Sequence, residues 1–450
     1  MGSNCDLLVK NGLIVYSDKT IRGNLVVSNG VVEKILPPTE EVECREVLNA
    51  EGRYILPGII DPHTHPVYLD NISDLSKTGA FGGVTTVVHY AYAKPGNSLL
   101  KVVREYKKEG ESTSYTDFAL HGTMFDTRQQ VKELPQVFNE GVTSFKMFMS
   151  YAKLGWMTDD YALAMALDTI GKLGGMASLH AENGLVIDYI QDEMLKNGED
   201  FREHFVKSSP DILEAEAIFR AVYVGRLMNC PVYIPHISSR EGIEVIRYLK
   251  ERGFRVYAET CPHYLALTWD KLKAKGPLGK VGPSIKTEND RLALWDAIKD
   301  GLIDTIGSDH APKEKSENDE FFKAPYGAPG IETMFYILWQ YGVNGGVIPV
   351  NRLVSIFSEN ASRILGLYPK KGVLLEGSDA DFIVFNPFKE WTIERGNQHS
   401  NATYTLYEET KITGRIEKVF LRGRLIVDGN ECLGKPGDGG FLKTRAGASI

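Results

Sequence analysis

The chain has 450 residues, of which 43% are hydrophobic and 24% are charged, a composition typical of an ordinary globular protein that can bury a large core. Lysine and arginine total 51 against 59 aspartate and glutamate residues, which gives a formal net charge of −8, and no basic run is longer than a few residues. This charge pattern argues against nucleic-acid and anionic-membrane partners.

The cysteines are scattered, odd in number and free of any C-x-x-C pair, at Cys5, Cys44, Cys230, Cys261 and Cys432. They predict neither a disulfide framework nor a cysteine zinc site, and a reducing, cytoplasmic location is expected. The first residues lack a basic stretch followed by a long apolar core, and no stretch reaches about 18 uncharged apolar residues. We therefore expect no signal peptide and no membrane span.

Both ends of the chain have a β-like pattern. Residues 6–50 alternate short apolar runs with turns, including Asn11-Gly12 and Asn29-Gly30, and Asn-Gly between apolar runs favours a hairpin. A similar pattern returns at residues 418–429. Each end alone has too few strands for a core. We predict that residues 1–54 and 371–450 together form one small β-sandwich domain.

The central part, residues 55–370, alternates strand-like apolar runs with helical stretches such as residues 212–227 and 241–251. The candidate strands are Tyr54–Asp61, Val84–Tyr90, Asp117–Gly122, Val142–Met149, Met176–His180, Pro231–His236, Phe254–Glu259 and Asp304–Asp309. Eight strands, each followed by a helix, predict an α/β fold of the (β/α)8 TIM-like barrel type.

Six side chains that could serve a metal site lie at the carboxyl ends of these strands. They are His63, His65, Lys146, His180, His236 and Asp309. Side chains alternate faces along an extended segment, so His63 and His65 point the same way. Taken singly, each residue is explained by capping, core hydrogen bonds or an ion pair. Their coincidence at one predicted rim of the barrel instead indicates a metal centre.

Histidine nitrogens and a carboxylate suit zinc, while nickel, cobalt, manganese and iron are alternatives. Lys146 lies within the apolar run Ser144–Met149, where an unpaired ammonium is costly to bury. Carboxylation by CO2 would convert Lys146 into N6-carboxylysine, an anionic carbamate with two oxygens. Such a group would remove the burial cost and could bridge two ions.

Several segments resemble, in order and spacing, the dihydropyrimidinases and hydantoinases, which are cyclic amidases of the amidohydrolase superfamily. They are Gly58–His65, Ser144–Tyr151, His180–Gly184, Glu214–Ala217, Glu259–Leu265, Gly307–His310 and Gly377–Asp381, so the resemblance covers nearly the whole chain. It implies metal-dependent hydrolysis of the cyclic amide of dihydropyrimidines or 5-substituted hydantoins by a bridging hydroxide, which gives N-carbamoyl amino acids.

The resemblance also implies roles for individual residues. His63, His65, carboxylated Lys146 and Asp309 would hold one divalent ion, and Lys146, His180 and His236 the other, with zinc as the expected metal. Asp309 would transfer the proton of the nucleophile, and Tyr151 would donate a hydrogen bond to the developing oxyanion. The expected substrate contacts are Tyr151, Gly282, Ser284 and Tyr326. The expected assembly is a homotetramer or a homodimer, and the expected partner is a small cyclic amide or imide.

Two loops depart from the usual pattern of this branch, at Gly282–Lys286 and Pro325–Thr333, so the substrate stays open. The second loop also resembles dihydroorotases, but Val67 stands where those enzymes place a carboxylate-binding arginine, and Asp70 nearby would repel an acid. Allantoinase shares the metal ligands and stays an alternative. A non-catalytic, dihydropyrimidinase-like scaffold is the alternative from another class, disfavoured because all six ligand positions are filled.

Overall fold

The computed structural model describes residues 5–447. Residues 1–4, where the segment assessed for a signal peptide begins, and residues 448–450, at the end of the predicted small domain, lie outside the described residues. The strands are β1 Cys5–Val15, β2 Thr20–Ser28, β3 Val31–Leu36, β4 Cys44–Asn49, β5 Tyr54–Pro57, β6 Ile59–Thr64, β7 Val84–Ala93, β8 Asp117–Met124, β9 Ser144–Phe148, β10 Met176–His180, β11 Val232–Ile234, β12 Val256–Thr260, β13 Thr305–Ile306, β14 Phe382–Ile393, β15 Thr410–Leu421, β16 Arg424–Asp428 and β17 Glu431–Cys432.

The helices lie mainly between the strands of the central part. They are α1 Ile72–Phe81, α2 Leu99–Thr113, α3 Thr127–Gln130, α4 Leu134–Asn139, α5 Asp160–Leu173, α6 Gly184–Lys196, α7 Asp211–Leu227, α8 Arg240–Glu251, α9 Pro262–Ala266, α10 Trp269–Leu272, α11 Glu288–Lys299, α12 Met334–Leu338, α13 Val350–Val354 and α14 Asn360–Ile364. Among residues 5–447, no helix combines the length and the apolar character that crossing a membrane would require.

Strands β6 to β13 form one eight-stranded sheet in chain order, and every pair of neighbours is parallel. The barrel closes through a parallel bridge between Thr64, at the end of β6, and His310, four residues after β13. The residues of β6, β8, β9 and β10 are all buried, as expected for strands covered by helices on one side and packed inside the barrel on the other. The predicted barrel is thereby confirmed.

The predicted strand Tyr54–Asp61 is in fact two strands that belong to different sheets. Strand β5 pairs with β1 and β14, whereas β6 opens the barrel. They are separated by Gly58, where an added Cβ would lie only 2.1 Å from the Thr85 hydroxyl oxygen. The apolar run continues through this point, so hydrophobicity alone did not indicate the break.

Strands from both ends of the chain form a nine-stranded sheet in the order β17-β16-β15-β14-β5-β1-β2-β3. The ninth strand, β4, pairs with the first part of β1, and β5 pairs with the last part of β1. The core of this sheet includes side chains from both ends, such as Leu25, Ile55, Phe382 and Phe420. The two ends therefore build one unit, as predicted, with its strands joined in one hydrogen-bonded path. The exact domain limits stay a prediction.

The two Asn-Gly pairs have different roles. Asn29 and Gly30 both have positive φ values, 53° and 79°, and form the tight turn between β2 and β3. Asn11 also has a positive φ, 58°, but it lies within β1, where the pairing with β2 shifts register. A Cβ at Gly12 would lie 2.6 Å from Ile55, so this glycine permits the close approach of β5. The predicted hairpin at Asn11-Gly12 was wrong.

A disulfide joins Cys5 and Cys44, which face each other where β1 and β4 run parallel. The expectation of no disulfide was wrong for this pair. The two cysteines are 39 residues apart in sequence, and only the pairing of their strands brings them together. Cys230, Cys261 and Cys432 are free.

A buried charge cluster connects the terminal sheet to the barrel. The ammonium of Lys371 lies 2.5 Å from Asp117, 2.8 Å from Asp379 and 2.6 Å from Asp381. Arg422 also pairs with Asp117. Burial opposes the charge of Lys371, but the three carboxylates hold its pKa above the ordinary value. The carboxylates could suggest a metal site, yet the lysine ammonium fills their centre.

Candidate metal centre and substrate cavity

The first group of predicted ligands converges where the barrel closes. His63 is the fifth residue of β6, His65 follows that strand, and Asp309 comes three residues after β13. The Asp309 carboxylate lies 2.9 Å from His65 Nε2 and 3.2 Å from His63 Nε2. These ligand atoms all lie within 4.8 Å of one another. The three side chains could hold one metal ion.

The second pair of histidines lies beside this group. His180 is the last residue of β10, and His236 follows β11 by two residues. Their ring centroids are 4.6 Å apart, and the ring of His236 is 5.3 Å from that of His63. The structure thus brings all four predicted histidines together at the carboxyl end of the barrel.

Lys146 lies in the middle of β9 and is almost completely buried. Its amine has no hydrogen-bond partner in the described part of the chain and lies about 5 Å from the ring centroids of Tyr90 and Phe148, at 5.1 and 5.3 Å. Burial lowers the pKa of Lys146 to about 8. An amine without a partner in this position favours a further chemical group on its nitrogen.

The backbone is strained at three residues of this site. Tyr151, His236 and Asp309 have φ values of 64°, 44° and 48°, in the left-handed region that side chains other than glycine seldom occupy. Each lies in the loop that follows a barrel strand, which is where this fold places its chemistry. The loops therefore fix the directions of these side chains at a cost in backbone energy.

Glu259 is a functional residue that the sequence analysis did not assign. Its buried carboxylate lies 2.6 Å from His63 Nδ1, accepts a hydrogen bond from the backbone of His236 at 3.1 Å, and accepts another from Tyr233 at 2.5 Å. It therefore orients two of the predicted ligands. Its position could have indicated this role, because Glu259 ends the seventh predicted strand and so lies at the same rim as the ligands.

Carboxylates also control the charge of the histidines. Burial alone would lower the pKa of His63, but Glu259 and Asp309 raise it to about 9, whereas burial lowers the pKa of His65 to about 4. Burial would raise the pKa of Asp309, but His63 and His65 hold it well below its usual range. Nδ1 of His65 lies 2.7 Å from the Tyr92 hydroxyl, which fixes the ring with Nε2 toward Asp309.

A cavity of about 210 Å³ opens over the metal-binding side chains. Of the predicted substrate contacts, Tyr151, Gly282 and Tyr326 line it. A Cβ at Gly282 would lie 3.0 Å from the Tyr151 hydroxyl, so glycine keeps space open there. Ser284 is buried beside an adjoining cavity of about 200 Å³, and the structure does not place it against the metal-binding group.

Asp70 does not face the substrate cavity. It is fully buried, lies 2.7 Å from His310 Nε2, and accepts hydrogen bonds from Ser400 at 2.6 Å and from the backbone of Asn401 at 2.8 Å. The sequence-based argument that Asp70 would repel an acidic substrate was therefore wrong. The residues Ser400 and Asn401 that hold it lie some 330 positions later in the chain, beyond the reach of local patterns.

Known proteins resemble this chain along nearly its whole length. The sequence model of the family described as the amidohydrolase family matches residues 54–426. A D-hydantoinase of Ralstonia pickettii is 35% identical, covering 98% of this chain and 99% of that protein. An L-hydantoinase of Paenarthrobacter aurescens is 30% identical, with 98% of each covered. The crystal structure of a dihydropyrimidinase from Brevibacillus agri matches with a TM-score of 0.93 at 32% identity, covering 98% and 99% of the two chains.

Proposed function

Because this chain belongs to the amidohydrolase family, and its relatives include hydantoinases and a dihydropyrimidinase, we propose that it opens the ring of 5-substituted hydantoins or dihydropyrimidines to give N-carbamoyl amino acids. It is a cyclic amidohydrolase. The observation that carries the proposal is the convergence of four histidines, Asp309 and an unpartnered Lys146 beneath one cavity.

The donor set fits a pair of divalent ions, and zinc is the metal we propose. His63, His65 and Asp309 would hold one ion, His180 and His236 the other, with carboxylated Lys146 between them. The fit rests on the buried amine of Lys146, for which the described residues provide no hydrogen-bond partner, and on the close grouping of the first three ligands. When bound, such ions supply Lewis acidity and lower the pKa of water to about 7.

The residues of the chain then carry the proton and the developing charge. In hydrolysis the water oxygen bonds to the ring carbonyl carbon, the ring C–N bond breaks, and the leaving nitrogen gains a proton. We assign the transfer of this proton to Asp309, because its carboxylate lines the cavity and lies 2.9 Å from His65 Nε2, beside the proposed metal ligands. Gly282 and Tyr326 would border the ring, and Ser284 would act only through a movement of its loop.

Tyr151 is proposed as the donor to the oxyanion. Burial, with Glu182 nearby, raises the pKa of Tyr151 well above its ordinary value, so the hydroxyl keeps its proton. Tyr151→Phe is expected to raise the activation barrier by about 2–4 kcal/mol, mainly through kcat, because the hydrogen bond forms only in the transition state. Steady-state kinetics on a 5-substituted hydantoin measure this change.

Tyr341→Phe is the matched control for that variant, since Tyr341 is exposed and lines neither cavity, and its kinetics should equal those of the wild type. A Tyr151→Phe enzyme with unchanged kcat would remove the hydroxyl from the mechanism.

A substrate panel tests the proposed function directly. The zinc-loaded protein is assayed with dihydrouracil, hydantoin, phenylhydantoin, allantoin and dihydroorotate, and release of the N-carbamoyl product is measured. Turnover of a hydantoin or dihydrouracil supports the proposal, whereas allantoin or dihydroorotate as the only substrate would assign the chain to one of the alternatives. A protein that binds no divalent ion and turns over none of the five would be a scaffold.

We also propose a homotetramer, with a homodimer as the smaller alternative. Exposed apolar side chains cluster on helices α5, α6 and α7, at Tyr161, Leu185, Tyr189, Ile212, Phe219, Tyr223 and Leu227. On α7, the rings of Phe219 and Tyr223 stack with centroids 4.2 Å apart, and exposed aromatic side chains are enriched at interfaces between subunits. The cytoplasmic location stays a prediction.

Sedimentation should give a mass four times that of one chain, and Leu227→Glu combined with Tyr189→Glu should lower it. Phe388→Glu, at an exposed position of the terminal sheet, is the control that should keep the mass. A wild-type protein that sediments with the mass of a single chain would refute the assembly.

A further inference from the structure

One lysine that lines the substrate cavity forms no salt bridge with any residue of 5–447. Lys313, four residues after Asp309, lines the cavity, and its ammonium lies 4.1 Å from the ring centroid of Tyr68. The ring of Tyr68 is in turn 6.4 Å from that of His65. The ring of Tyr68 therefore lies between the cation and His65, and Lys313 and the metal-binding side chains line one cavity.

Other lysines around the cavities are already occupied. Lys280 donates to the carbonyls of residues 321, 322 and 324 at 2.8–3.0 Å, and Lys315 donates to those of residues 277 and 280. Lys153 pairs with Asp192 at 2.5 Å. Among the described residues that line the cavity over the metal-binding side chains, the only basic side chains besides the histidines are Lys146, which belongs to the metal centre, and Lys313.

Lys313 itself interacts with the ring of Tyr68 and, at longer range, with Asp309. Burial lowers its pKa to about 8, which still leaves the ammonium predominantly protonated at neutral pH. A half-buried charge that packs against an aromatic face and has no ion pair within the described residues is under-solvated, so an anion brought beside it gains more than one beside an exposed lysine.

We propose that Lys313 is a specificity-determining residue that binds an acidic substituent, so that the preferred substrates are cyclic ureides with a carboxylate on the ring side chain. This inference rests on the proposed function. Asp70, which could have opposed such a substrate, is held away from the cavity by His310, Ser400 and Asn401. The remaining wall, with Phe148, Leu154 and Trp156, suits the methylene groups between ring and carboxylate.

A pair of compounds with nearly the same shape isolates the charge. They are 5-(2-carboxyethyl)hydantoin and its amide, 5-(2-carbamoylethyl)hydantoin. The wild-type holoenzyme is expected to prefer the acid in kcat/KM. Lys313→Met should lower the acid-to-amide ratio by about 10-fold to 100-fold, mainly through the KM of the acid, because a charge-assisted hydrogen bond is lost. Lys313→Arg should retain most of the preference.

Added salt provides an independent readout, since it should raise the KM of the acid in the wild type and leave that of the amide unchanged. Lys153→Met is the matched control, because this lysine lies beside the adjoining cavity, already paired with Asp192. Its acid-to-amide ratio should equal that of the wild type. A ratio in Lys313→Met equal to the wild-type ratio, with the amide still opened, would overturn the inference and leave the proposed function intact.

Calorimetric titration with the same two compounds distinguishes a failure of the proposed reaction from a failure of the proposed role of Lys313. Tighter binding of the acid to the wild type, lost in Lys313→Met, supports the role of Lys313 even if neither ring is opened, an outcome that would overturn only the proposed reaction. Equal binding of acid and amide by the wild type would overturn the inference.

Discussion

Lys146→Ala is expected to lose its bound divalent metal and to lower kcat/KM by about a thousandfold or more, because an ion contributes several kcal/mol to transition-state stabilisation. The reason lies in the position of Lys146. Its amine is buried in β9, without a hydrogen-bond partner in the described structure, and lines the same cavity as the four histidines that would hold the two ions. Its removal would take away the proposed carbamate bridge between the two groups of ligands.

Metal analysis of the purified variant and kinetics on a hydantoin measure this effect. Acetate or propionate should restore part of both properties, because a small carboxylate can occupy the space of the lost carbamate. Lys153→Ala, at an exposed lysine, is the control that should keep metal and activity. A Lys146→Ala enzyme that retains its metal and full activity would refute the carbamate bridge.

Lys371→Met is expected to lower the free energy of unfolding by about 3–5 kcal/mol, since it leaves buried carboxylates without their central cation. Asp117, Asp379 and Asp381 all lie within 2.8 Å of that ammonium. Of the cations described around them, Arg422 beside Asp117 and the largely exposed Lys370 beside Asp379 would remain. The cluster connects the start of β8 to the segment that leads into β14. Loss of the lysine therefore weakens the junction between barrel and terminal sheet.

Equilibrium unfolding in urea, followed by circular dichroism, measures this loss as a shift of the transition to lower urea concentration. Lys370→Met offers a neighbouring control, because Lys370 is largely exposed and its single pair with Asp379 contributes little. Equal stability of the two variants would show that the buried cluster is not what holds the junction.

The barrel and its ligands could be predicted because both depend on local patterns. Apolar runs of strand length, separated by helical periodicity, located all eight strands, and the limits of β10 agree to the residue, so His180 was correctly placed at a strand end. The predicted helices at residues 212–227 and 241–251 begin one residue earlier in the structure. Because the carboxyl ends of the barrel strands lie at one rim, ligands at those ends could be predicted to lie close together.

The failures share a different cause, which is that the deciding partner lies far along the chain. Asp70 is turned away from the cavity by Ser400, and the bulge at Asn11 and Gly12 depends on the approach of Ile55. Cys5 meets Cys44 only through strand pairing. No window of sequence contains both members of these pairs, so local reasoning could not find them.

The place where the barrel closes has a consequence for its stability. The barrel closes through the bridge between Thr64, in its first strand, and His310, just after its last strand. The predicted ligands His65 and Asp309 are the chain neighbours of these two residues. An ion bound by both ligands would cross-link the two ends of the barrel, so the free energy of metal binding would add to the free energy of unfolding. Loss of the metal would then favour opening of the barrel between its first and last strands. The protein would lose stability and activity at the same time.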